Sequence, residues 1–232
     1  MGAYLATPTG AGGGEAAGAA PWPGLVVLHE AFGLNDDIRS IADRFAARGY
    51  LALAPDLFSW GISARCLVSA FRSMLSGTGR AFDDIRGARD QLAAMDDCNG
   101  HVGVIGFCMG GGFALLCAPR GLFDVSSVNY GLVPKNADQV LKGACPIVGS
   151  YGGRDRGFKG KAAVLDDVLT RLGVEHDVKE YADANHSFLN HHEGWYTALD
   201  RIGGLGHHDE AAEDAWRRIF EFFEQHLAAG PN

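Results

Sequence analysis

Gly106-Phe107-Cys108-Met109-Gly110 is the segment richest in chemical meaning. It matches the G-x-S-x-G pattern with cysteine in the serine position. The apolar run His101–Phe107 before it reads as a strand. The glycine-rich stretch after it leads into a helix near Gly110–Cys117. That setting is the one a nucleophile elbow needs. Side chains at the flanking positions would clash in so tight a turn, and the central residue is held in strained backbone geometry. The thiol then sits at a helix N-terminus, whose dipole favours thiolate over thiol. The competing reading is a buried cysteine in a glycine-rich turn.

A thiol nucleophile needs a base, and the base needs a group that orients it. With this elbow the chain order is nucleophile, acid, histidine. Asp155 lies just past the predicted strand Pro146–Tyr151, at the edge where functional loops gather. Asp166 and Asp167 fall on a predicted helix instead. His186 follows the predicted strand Val174–Tyr181 and is the base candidate. His29 precedes the nucleophile, His101 and His176 open strands, and His226 is in the last helix. His191, His192, His207 and His208 lie in a long loop, and their spacing matches no metal-ligand signature. The backbone N–H groups of Met109 and of Ala31, after the strand at Leu25–Leu28, are the oxyanion-hole candidates. Glu30 falls beside Cys108 and can exchange a hydrogen bond or a proton with the thiol. Its alternative role is that of a loop carboxylate near the Asn35 turn.

The elements that position these residues alternate. Leu25-Val26-Val27-Leu28 is a compact β-branched run, as in a strand buried on both faces. Ile38, Ile41, Ala42 and Phe45 follow at i, i+3, i+4, i+7, with Asn35 as cap and Gly49 as stop. Tyr50–Ala54 is the next strand. Ile85, Ala88, Leu92 and Met95 mark a second amphipathic helix. Val164–Leu172 is another, closed by Gly173, and Asp209–Leu227 is the last. Strand–helix alternation predicts a single α/β domain with a mostly parallel sheet and helices on both faces. Residues 3–7 add an antiparallel edge strand, and 8–24 read as a loose loop. Residues 189–207, with Trp195 and Tyr196, read as a lid or pocket loop.

Composition narrows the classes. The 232 residues suffice for a core without disulfides or a structural metal. Five cysteines, an odd number with no C-x-x-C pair, argue against a disulfide framework or a zinc ribbon. Cys66, Cys98, Cys117 and Cys145 read as packing residues. A formal charge of -8 with no Lys/Arg cluster disfavours nucleic acid and anionic membranes as partners. Residues 1–24 carry no basic residue, so they lack a signal peptide's n-region, and a cytoplasmic protein is expected.

Four segments together carry a family resemblance: Val27–Asn35, Ala54-Pro55-Asp56-Leu57-Phe58, Gly106–Gly111 and His186-Ser187-Phe188. They resemble dienelactone hydrolase (carboxymethylenebutenolidase) over about residues 3–227. The resemblance implies a compact α/β-hydrolase domain with Cys108, Asp155 and His186 as a triad. It also implies that Glu30 contacts the resting thiol and moves aside when substrate binds. Two positions depart from the family pattern. Lys159 stands where a proline is frequent. Asn190 stands where some members carry an arginine that grips the substrate carboxylate. Arg65 and Arg72 are candidates for a second carboxylate-binding arginine, and Ser187, Phe188 and Asn190 for other substrate contacts.

The expected function is cysteine-dependent hydrolysis of small lactones or esters through an acyl-enzyme. No cofactor or metal is expected, and the chain is expected to be a monomer or small homo-oligomer. The alternatives are a carboxylesterase with an unrelated substrate, or a ligand-binding protein that keeps the fold without turnover.

Overall fold

A computed structural model describes residues 2–8, 19–59, 63–191 and 206–227. Seven strands form one sheet: β1 (Ala3–Ala6), β2 (Trp22–Leu28), β3 (Leu51–Pro55), β4 (Cys98–Phe107), β5 (Val125–Asn129), β6 (Ile147–Gly152) and β7 (His176–Tyr181). Their order is β1-β3-β2-β4-β5-β6-β7. Only β1 is antiparallel to its neighbour, which makes it the expected edge strand. The described helices are α1 (Asp36–Ala46), α2 (Ser63–Ser76), α3 (Arg80–Ala93), α4 (Met109–Cys117), α5 (Ala137–Val140), α6 (Lys161–Leu172) and α7 (Asp209–Leu227).

Side chains on a strand alternate between its two faces, so a sheet covered on both sides has two cores. Leu25 and Val27 of β2 face one core, which α1 and α7 cover. Val26 and Leu28 face the other, which α2, α3, α4 and α6 cover. Local signals place the helix ends. The Asn35 side chain accepts from the Ile38 N–H at 3.0 Å and starts α1. Gly173, at φ 66°, ends α6.

Parallel pairing brings the carboxyl ends of the strands to one edge. Leu28 of β2 stands opposite Gly106 of β4, and Phe107 opposite Asn129 of β5. Asn129 pairs in turn with Ser150 of β6, and Gly152 with Tyr181 of β7. The loops carrying Glu30, Cys108, Asp155 and His186 therefore leave the sheet at neighbouring points on that edge.

Several features differ from the sequence reading, the short helix α5 among them. β2 begins at Trp22, inside the stretch 8–24 read as loose loop; the Trp22 N–H donates to the Asp97 carbonyl at 2.7 Å. The register shifts between Trp22 and Gly24, where Pro23 has no N–H to give the ladder. Helix α2 and strand β5 have no counterpart in that reading. β5 (Val-Ser-Ser-Val-Asn) lacks both an apolar run and a clean alternation, yet all five residues are buried. Its polar side chains bond internally: Ser126 Oγ to the Ala114 carbonyl at 3.1 Å, and Asn129 Nδ2 to the Gly106 carbonyl at 3.2 Å. Residues 192–205, most of the expected lid, lie outside the described residues. Among the described residues no helix is long and apolar enough to cross a membrane.

Phe45 joins α1 to α7. It is fully buried, and its ring lies 4.8 Å from Phe220 and 6.0 Å from Trp216. Trp216 reaches on to Phe107, next to Cys108, at 6.1 Å. Phe45→Ala is expected to lower unfolding free energy by about 3–5 kcal/mol, read from urea denaturation; Phe45→Leu should keep most of it.

Candidate active site

Cys108 links β4 to α4 at φ 52° and ψ -111°, a left-handed backbone that a non-glycine residue rarely adopts. Neighbouring backbone holds it there. Its N–H donates to the Asn129 carbonyl at 3.0 Å, and its carbonyl accepts from the Gly112 N–H at 3.0 Å. The flanking glycines are sterically compulsory. A methyl group on Gly106 would overlap the Gly110 carbonyl, and one on Gly110 would overlap the Leu28 carbonyl. The elbow is thus packed backbone on backbone, and the half-buried thiol points from the sheet edge.

His186 meets this thiol from the loop after β7. Its Nδ1 lies 2.5 Å from Asp155 Oδ2, which leaves Nε2 for Cys108. Asp155 is buried after β6, and its other oxygen accepts from the Gly157 N–H at 3.0 Å. Burial pushes the His186 pKa down, but hydrogen bonds with Asp155 and Cys108, and their negative charge, outweigh it and raise the group to about 10. The imidazole is also held between rings, with Tyr130 at 5.0 Å and Phe158 at 5.1 Å.

Glu30 completes the cluster. It is 3% exposed, and the functional atoms of Glu30, Cys108 and His186 lie within 4.8 Å of one another. Ser187 Oγ donates to Glu30 Oε1 at 2.6 Å. Ser187 itself has φ 58°, so the residue after the histidine is also bent to reach its partner. Carboxylate, thiolate and imidazole at this separation are also the donor types that a transition metal accepts.

The other cysteines differ chemically. Burial pushes the Cys117 and Cys145 thiols up to about 12, which keeps them protonated and unreactive.

The remaining sequence candidates divide by position. Ala31 and Met109 stand at the level of Cys108, one in the loop after β2 and one at the first residue of α4. Phe188 is fully buried, 5.1 Å from Tyr181 and 5.7 Å from Tyr130, and belongs to the core. Asn190 is fully buried too. Its Oδ1 accepts from the Tyr130 hydroxyl, and its Nδ2 donates to Asp37 Oδ2 at 2.5 Å. Arg65 and Arg72 are exposed on α2. The His191 and His207 rings lie 3.8 Å apart at the two ends of the undescribed stretch.

Two residues at the site escape the sequence reading. Tyr130 follows β5, a strand that is itself illegible in the sequence. Its signal is the Tyr-Gly pair after Asn129, since it adopts φ 42°. His29 precedes the nucleophile and so falls outside the triad order, yet it is fully buried against the Glu30 backbone.

Residues 1–227 match the model of the dienelactone hydrolase family. A protein of Saccharolobus solfataricus, provisionally named carboxymethylenebutenolidase, is 27% identical, over 96% of this chain and 93% of its own length. A Methylorubrum extorquens protein with the same provisional name is 28% identical, over 98% of this chain and 77% of its own. The crystal structure of a dienelactone hydrolase-like promiscuous phosphotriesterase from metagenomic libraries superposes with a TM-score of 0.73. It is 26% identical and the match covers 91% of this chain and 89% of that one. With a matching model along nearly its whole length, the chain belongs to the dienelactone hydrolase family, hydrolases with an α/β fold that act on ester or lactone bonds.

Proposed function

We propose that the protein hydrolyses small esters or lactones with Cys108 as nucleophile, His186 as base and acid, and Asp155 as the group that orients His186. The supporting observation is the single imidazole that bonds Asp155 through Nδ1 and faces Cys108 through the other nitrogen. His186 takes the Cys108 proton, and the thiolate attacks the carbonyl carbon of the substrate. Negative charge builds on the carbonyl oxygen, where the N–H groups of Ala31 and Met109 receive it. The tetrahedral adduct collapses to a thioester as His186 returns the proton to the departing alkoxide. His186 then draws a proton from water, and the hydroxide releases the acid and restores the thiol. Asp155 keeps the proton-bearing nitrogen turned away from the thiol.

Glu30 sets the resting state in this reading. Its carboxylate lies beside thiol and imidazole but is tied to Ser187. We place the protein in the reducing cytoplasm, where an unpaired thiol nucleophile survives. Asn190 is fully buried, with its amide turned to Tyr130 and Asp37 rather than toward a substrate carboxylate. The favoured substrates are therefore uncharged around the acyl group, and a neutral ester should outpace a lactone that carries a carboxylate.

Cys108→Ala is expected to abolish turnover of p-nitrophenyl acetate and of lactones; undiminished rates would overturn the proposal. If the protein were a binder without turnover, Cys108 would resist iodoacetamide and the wild type would hydrolyse nothing.

The histidine supplies a second check. NMR titration should find the His186 pKa above that of a free imidazole. The sign follows from the neighbours: anions raise the pKa of a cationic acid. Removing either anion, in Asp155→Asn or Cys108→Ala, should move the titration to lower pH. Asp155→Asn should also reduce kcat by on the order of 10⁴, because the asparagine stabilises the wrong tautomer.

A further inference from the structure

His29 is the first residue after β2, and its side chain is fully buried. Its Nε2 accepts a hydrogen bond from the Leu57 N–H at 3.1 Å, a group that can only donate. The proton of a neutral ring therefore sits on Nδ1, which lies 2.6 Å from the Glu30 carbonyl oxygen and donates to it. Phe58 packs edge-on against the ring at 4.8 Å. Burial keeps the group neutral by lowering its pKa, although Asp56 lies 3.9 Å from Nε2. The same Glu30 carbonyl accepts a second bond from the Gly33 N–H at 3.3 Å.

The Glu30 carbonyl and the Ala31 N–H belong to one peptide unit. A trans peptide is planar, and its C=O and N–H point to opposite sides. Fixing the carbonyl toward His29 therefore fixes the N–H on the far side. Leu28 pairs with Gly106, so this peptide and the Cys108 turn leave the sheet at the same level. We infer that His29 is a positioning residue for the oxyanion hole: it clamps the Glu30–Ala31 peptide between the loops after β2 and β3, and so aims the Ala31 N–H at the carbonyl oxygen of the substrate. The inference rests on the Cys108 hydrolase reading and adds to it the group that sets one of the two donors.

The test compares His29→Gln, which keeps a donor and an acceptor side by side, with His29→Leu and His29→Phe, which keep neither. Either of the latter that folds suffices, and His29→Phe retains the ring packing on Phe58. Two rates are measured on each: turnover of p-nitrophenyl acetate and alkylation of Cys108 by iodoacetamide. Attack on the saturated carbon of iodoacetamide builds no oxyanion, so it reports the thiol and His186 alone. Misaligning one donor should lower kcat by about 10- to 100-fold, with KM little changed and alkylation at the wild-type rate. His29→Gln should restore most of the turnover. Full kcat in the folded apolar variants would overturn the inference. So would an equal loss of alkylation, or a loss in His29→Gln as large as in His29→Leu, since either would mark general damage to the loop. Retained hydrolysis in Cys108→Ala would overturn the parent reading, and this one with it.

Discussion

The turn at Cys108 is the constraint on which the other features depend. Its backbone occupies a region that costs a non-glycine residue on the order of 1–3 kcal/mol. That conformation survives because β5 accepts its N–H and α4 starts at once from its carbonyl side. The helix can start there only because Gly106 and Gly110 have no side chains, which lets α4 press against the end of β2. The parallel register of β2, β4 and β5 is thus both the support of the elbow and the reason its loops converge. A one-residue slip of β2 or β5 would remove the backbone that Cys108 and Gly110 press against.

Around that turn, burial works against every charge, and most of the buried polar side chains there have a partner that offsets the penalty, Asn129 Oδ1 and Ser150 Oγ excepted. Asp155 bonds His186, and His186 faces Cys108. Ser187 bonds Glu30 on the opposite side of the thiol. Tyr130 bonds Asn190, which bonds Asp37 at the start of α1. Burial, with the nearby Glu30, Asp37 and Cys108 charges, holds the Tyr130 hydroxyl well above its ordinary pKa, so it remains a neutral donor. At His186, pairing overcomes desolvation and raises the pKa. His29 is the reverse case, since burial there outweighs the Glu30 carbonyl and the Asp56 charge and lowers the pKa. Environment alone thus moves the pKa values of two histidines in opposite directions.

Local chemistry makes much of the fold and the candidate site legible in the sequence. The β-branched run at Leu25–Leu28, the helical spacing from Ile38 to Phe45 and the G-x-C-x-G turn each depend on neighbours in the chain. β2, α1 and the elbow duly occur there. Asp155 and His186 are legible because each is the first suitable side chain past a readable strand. β5 is not, because Ser126 and Asn129 find partners on α4 and β4, segments apart from it in sequence. Tyr130, which depends on β5, is lost with it. Asn190 is a different case. Its sequence position suggests a substrate contact, while its amide serves as a strut between Tyr130 and Asp37.

The sequence by itself determined the alternation of strands and helices, the glycine-flanked thiol and the order of acid and histidine along the chain. Those are properties of residue type and short spacing, set by sterics and hydrophobic period. Only the tertiary structure decided that Asp155 and His186, 31 residues apart, share a hydrogen bond, and that Ser187 reaches Glu30 across 157 residues. The tautomer and charge of His29 and His186 belong to the same class. Protonation depends on which groups lie within a few ångströms and how much water is excluded, and neither quantity exists until the loops meet at the edge of the sheet.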